Sequence, residues 1–115
     1  MVHHAILVNP ETDTIVYAES KTFAEDDVFD FTYEATNEAF NLAKKEEVKG
    51  GYIYLDDAPT LASAKAIISA ELKRVVYKIP IETPEEGAAC QLLEQYGIPA
   101  IYNPNIIINR EHGDV

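Results

Sequence analysis

Residues 50–77, GGYIYLDDAPTLASAKAIISAELKRVVY, constrain the fold more than any other stretch. Tyr52-Ile53-Tyr54-Leu55 is rich in aromatic and β-branched side chains. Gly50-Gly51 precedes it and Asp56-Asp57 follows, which predicts a strand. Pro59 stands where a helix can begin, because a first-turn proline removes no intrahelical hydrogen bond. Leu61, Ala64, Ile68 and Leu72 recur at helical spacing and predict one apolar stripe. Arg74-Val75-Val76-Tyr77 then starts a second strand, which stops before Pro80. Strand, helix and strand in so short a span imply a right-handed crossover between parallel strands.

The flanking segments extend this pattern. Two short apolar runs, 5–8 and 14–18, are separated by the turn formers Asn9 to Asp13 and predict an antiparallel hairpin. Residues 19–30 are polar and acidic, with Glu25-Asp26-Asp27 at the centre, and read as a loop or a frayed turn. Residues 32–45 predict a helix with Ala35, Ala39, Leu42 and Ala43 on its apolar face. Thr83-Pro84-Glu85-Glu86 is a helix-start signature, and Gly97 ends that helix. A short strand is expected over 98–102, followed by a turn at Asn103-Pro104-Asn105 and a packed Ile106-Ile107-Ile108. The expected order is β-β-α-β-α-β-α-β. The fold class is α/β, a three-layer αβα arrangement around a mixed five-stranded sheet, formed as a single domain over 1–115.

Charge narrows the partners. Nine basic residues against twenty acidic ones give a net charge of −11, so nucleic-acid backbone and anionic membranes would be repelled. A basic protein partner would be attracted. Cys90 is the single cysteine, which excludes an intramolecular disulfide. With no long apolar run and no secretory leader, a cytoplasmic location is expected.

The 50–77 stretch also resembles the zinc-dependent cytidine/deoxycytidylate deaminases. In that family a strand leads into P-C-x-x-C at a helix start, and the helix continues much as Ala64-Lys65-Ala66-Ile67-Ile68 does here. Lys73-Arg74-Val75-Val76-Tyr77 matches the strand that follows. The resemblance is strongest over 51–77, moderate over 83–102 and confined to element order before Gly50. It implies the same fold and a family that is commonly oligomeric, so a homo-oligomer is expected.

The resemblance also implies where zinc chemistry would sit, and this sequence departs there. The family needs H-x-E on one helix and two thiolates on the next, so that zinc activates a water and a glutamate moves protons. Thr60 and Ser63 stand at the two cysteine positions. Aligning on Ala35, Ala39 and Phe40 places Glu34 at the histidine and Thr36 at the catalytic glutamate; a shift of one residue places Tyr33 and Ala35 there. Hydroxyls are poor zinc ligands. The resemblance therefore implies a degenerate member with no zinc, no other cofactor and no catalytic residue among these positions. Two helix N-termini would still converge on the spot and favour an anion, supplied by Glu34 or by a ligand such as phosphate.

Other candidates carry less. Asp56 and Asp57 lie at the carboxyl end of a strand, where α/β folds place ligands, and are possible ligand-binding residues. His3, His4 and His112 have no ligand-spaced partner in the sequence. Cys90 reads as a small buried hydrophobe. Seven tyrosines and no tryptophan suggest a partly exposed aromatic strand face. The function expected is binding by an inactive deaminase-like protein, as a regulatory or structural subunit. The alternative is an enzyme with zinc-independent chemistry on a nucleotide-like substrate.

Overall fold

The computed structural model describes residues 2–21 and 30–106. Its elements are β1 (Val2–Asn9), β2 (Thr14–Lys21), α1 (Phe31–Leu42), α2 (Lys45–Val48), β3 (Tyr52–Leu55), α3 (Leu61–Ser69), β4 (Arg74–Tyr77), α4 (Pro84–Gln95) and β5 (Ala100–Tyr102). The chain is an α/β protein with a mixed five-stranded sheet, in the order β2-β1-β3-β4-β5. β1 runs antiparallel to both β2 and β3, whereas β3, β4 and β5 are parallel. The β3-α3-β4 unit is the parallel crossover expected from residues 50–77.

Alternation along the strands sorts the sheet into two faces. Ala5, Leu7, Ala18, Ile53, Leu55, Val75 and Tyr77 join one buried cluster. Ala35 and Ala39 of α1, Ala64 and Ile67 of α3, and Ala89, Cys90 and Leu93 of α4 complete that cluster. The small residues on α1 let it approach the sheet closely, and α1 packs on β1, β2 and α3. The opposite face carries Ile6 between Tyr17 and Tyr54, and Val8 between Ile15 and Tyr52. Tyr17, Tyr52 and Tyr54 are half-buried there, which is the aromatic strand face the tyrosine count suggested.

Helix ends differ from the sequence pattern for identifiable reasons. α1 stops at Leu42 rather than 45, because Ala43 turns extended and Lys44 opens a separate short helix. The Glu47 carboxylate accepts the Lys44 N–H at 2.8 Å, closing that second start. α3 stops at Ser69, and Glu71 adopts a left-handed φ of 58°, so Leu72 is buried from the connecting turn. The buried stripe of α3 is therefore Ser63, Ala64 and Ile67, with Ile68 only partly covered. Gly51 sits where an added Cβ would lie 3.0 Å from the Val48 carbonyl oxygen and 3.1 Å from Leu7, so the close approach of β3 requires glycine. β5 begins at Ala100: the Pro99 carbonyl accepts from the Val75 N–H at 2.9 Å, but proline has no N–H to donate to the ladder. Of the acidic segment, 22–29 lies outside the described residues, as do Ile107, Ile108 and His112; Ile106 is buried.

Candidate functional site

Three helices begin at one end of the molecule, where β3 and β4 finish. Between them lies a pocket of about 470 Å³ lined by His3, Thr32, Asp57 and Thr60, with Asp30, Glu82, Glu85 and Glu86 around it. This is the crevice outside the carboxyl ends of parallel strands, where folds of this class bind ligands. Each helix start is closed by its own side chains. Asp30 accepts the Tyr33 N–H at 2.9 Å. On α3, Thr60 Oγ1 accepts the Ser63 N–H at 3.3 Å and Ser63 Oγ accepts the Thr60 N–H at 2.8 Å. On α4, Thr83 Oγ1 accepts the Glu86 N–H at 3.2 Å, and the Glu86 carboxylate accepts the N–H groups of Glu82 and Thr83.

The four positions matched to the deaminase motif do not assemble as a set. Thr60 and Ser63 meet directly, with their hydroxyl oxygens 3.2 Å apart, and the Ser63 hydroxyl donates to the Thr60 carbonyl at 2.9 Å. Thr36 is fully buried and its hydroxyl donates to the Thr32 carbonyl at 2.8 Å. Glu34 is half-buried and does not line the pocket; Thr32, two residues earlier on α1, does. Among the described residues, Thr60 and Ser63 bond to each other and not to Glu34, so the expected Glu34 anion is replaced by a reciprocal cap. These donors do not fit zinc: two hydroxyls held by a helix cap and a third turned to the main chain offer neither thiolate nor imidazole. Among the described residues, no three His, Cys, Asp or Glu side chains are grouped to hold a metal ion.

Asp56 and Asp57 part company across the sheet. The β1–β3 register pairs Ala5 with Leu55, so one step further places His4 opposite Asp56 and a second places His3 opposite Asp57. Both pairs form. His4 Nδ1 lies 2.5 Å from the Asp56 carboxylate, which also accepts the His4 main-chain N–H at 2.8 Å. His3 Nδ1 meets the Asp57 carboxylate, and its ring stacks on Phe31 at 5.3 Å. Asp57 thus lines the pocket together with His3, whereas Asp56 fastens the edge of the ladder. The sequence spacing hid these partners because they are more than fifty residues apart. The recoverable signal was a His-His pair opening one strand and an Asp-Asp pair closing its neighbour.

Among the described residues, the pocket wall carries five carboxylates, one imidazole and no lysine or arginine. With part of the helix N–H groups already held by caps and five carboxylates around them, a phosphate would face repulsion. A protonated amine or guanidinium would find complementary charge. Nearby, burial raises the pKa of the Tyr77 hydroxyl and the Cys90 thiol, which also interact with each other. Both stay protonated at neutral pH, so Cys90 is a packed hydrophobe and a poor nucleophile.

Comparison with known proteins places the fold. No protein-family model matches the chain, and no curated protein is significantly similar to it in sequence. Solved structures do match. Acinetobacter baumannii RibD superposes with a TM-score of 0.67 at 20 % identity, over 88 % of this chain and 28 % of that one. A diaminohydroxyphosphoribosylaminopyrimidine deaminase/5-amino-6-(5-phosphoribosylamino)uracil reductase from Thermotoga maritima gives 0.65 at 16 %, over 96 % and 31 %. The dCMP deaminase of cyanophage S-TIM5 gives 0.63 at 18 %, over 88 % and 79 %. The chain thus spans less than a third of the first two of these proteins. At these identities the likeness shows a cytidine-deaminase-like fold. No helix among the described residues is long and apolar enough to cross a membrane.

Proposed function

We propose that this is a deaminase-fold protein without zinc-dependent deaminase chemistry, acting by binding as a regulatory or structural subunit. The observation that carries this reading is the Thr60–Ser63 reciprocal cap: at the positions of the two thiolates, the side chains stabilise their own helix start. The acid-lined pocket supports a basic group as the ligand, either an amine or a lysine or arginine of a partner protein. A cytoplasmic homo-oligomer with a basic partner is consistent with the charge and with the fold.

The second reading is an enzyme with zinc-independent chemistry on a nucleotide-like substrate. It is favoured by one feature, the His3–Asp57 pair on the pocket wall, an imidazole held by a carboxylate as in general-base catalysis. The acids around that pair oppose a phosphorylated substrate.

The test is an ammonia-release assay on cytidine and deoxycytidylate with the full chain preincubated in excess zinc. No release above the protein-free control is expected. Turnover that a chelator abolishes would overturn the reading; turnover that survives chelation and is lost in His3→Ala would favour the second.

A further inference from the structure

The two edges of the sheet are not alike. β5 closes one side with three residues and has Pro99 just before it, so it offers little ladder to a further strand. β2 closes the other side with eight residues and pairs with β1 residue for residue, without a bulge, from Thr14 to Lys21. It contains neither proline nor glycine. Along such a strand the main-chain groups alternate, so half of them point away from β1. Among the described residues, no strand meets that outer side. A long, regular edge without proline or bulge is a template for strand addition.

Charge selects what pairs there. In the sequence, residues 11–30 hold seven acids and Lys21 as the one base, more than half of the net charge of −11. Within the strand, Glu19 stands opposite His4, whose ring is held by Asp56. Among the described residues, no lysine or arginine pairs with Glu19. Ile15, four residues earlier and on the same face of the strand, is 55 % exposed. A second copy laid along this edge would bring like charges together, and nucleic acid would be repelled. An extended basic segment meets neither cost.

We propose that β2 takes up an extended, lysine- or arginine-bearing segment of a partner protein as an added edge strand. The main chain of that segment continues the ladder, a basic side chain stands beside Glu19, and an apolar one four residues along stands beside Ile15. The inference rests on the reading of the chain as a binding subunit with a basic partner, and names the surface. The test titrates the full chain into a labelled peptide, Thr-Lys-Thr-Val-Thr-Val-Thr-Lys, followed by fluorescence anisotropy. Saturable binding of one peptide per chain is expected, weakened by added salt and absent when glutamates replace the lysines. Methylating the main-chain nitrogens of one alternate set of residues should abolish binding and methylating the other set should spare it, because only one side of the added strand faces β2. Ile15→Lys, at an exposed position, should weaken binding roughly tenfold, with circular dichroism confirming the fold. No saturable binding, or equal binding of both methylated peptides, would overturn the proposal; the latter would mean that charge alone holds the peptide. A dimer of the chain that Ile15→Lys dissociates would also overturn it, in favour of a second copy at this edge. The assay contains no zinc and no nucleotide, so its failure leaves the ammonia-release test standing.

Discussion

Replacing Thr60 and Ser63 by cysteine is expected to create a zinc site where the present chain has none. The two hydroxyl oxygens are 3.2 Å apart. Two sulfurs sharing a tetrahedral zinc at ordinary bond lengths lie about 3.8 Å apart, so the helix start needs only a small adjustment. Thr60 lines the pocket with Asp57, His3 and Thr32, and Ser63 is buried behind it; Asp57 and His3 supply further ligands of the right chemistry. The double variant, kept reduced, should bind zinc at sub-micromolar levels, about −8 kcal/mol or better, with thiolate-to-metal absorption in the cobalt form. The acidic wall adds a favourable field for the cation. No binding by the double variant, with the fold intact, would mean that the pocket geometry has departed from the deaminase arrangement as well as its ligands.

The second large effect is on stability. Ile67 is fully buried on α3, between that helix and the sheet, within the cluster that joins α1, α3 and α4. Ile67→Ala should cost about 2–5 kcal/mol, combining lost transfer free energy with an unfilled cavity. For a chain of this size each kcal/mol lowers the melting temperature by roughly 4 °C. Thermal and urea unfolding should therefore show a large drop in midpoint with an unchanged urea slope. A loss well under 1 kcal/mol would mean that α3 does not seat on the sheet as described.

Particular residues show how far sequence reached. The β3-α3-β4 crossover was legible because its strand, proline and helix signals are all local. So was the start of α4, where Thr83, Pro84 and Glu86 make a cap within four residues. The end of α3 was not, since the periodicity runs on to Leu72 and only the left-handed turn at Glu71 breaks it. Pocket chemistry was suggested in part. Thr60 and Ser63 were singled out by the resemblance to the deaminase P-C-x-x-C motif, and their mutual hydrogen bonds stand where a Glu34 partner was expected. The acids at 82–86 and the pairing of His3 with Asp57 were hidden, because separation along the chain says nothing about which strand ends meet. The register of α1 against the motif was ambiguous for a related reason: Thr32 reaches the pocket because Asp30 caps the helix two residues before it.

The claim that binding has replaced zinc chemistry is tested most directly by native mass spectrometry of the full chain purified without chelator. The account predicts a chain mass, or a whole multiple of it, with no stoichiometric zinc. An adduct, if present, should be basic rather than phosphorylated. One zinc per chain would contradict the account, and would make Thr32, Asp57, Thr60 and Ser63 the residues to re-examine.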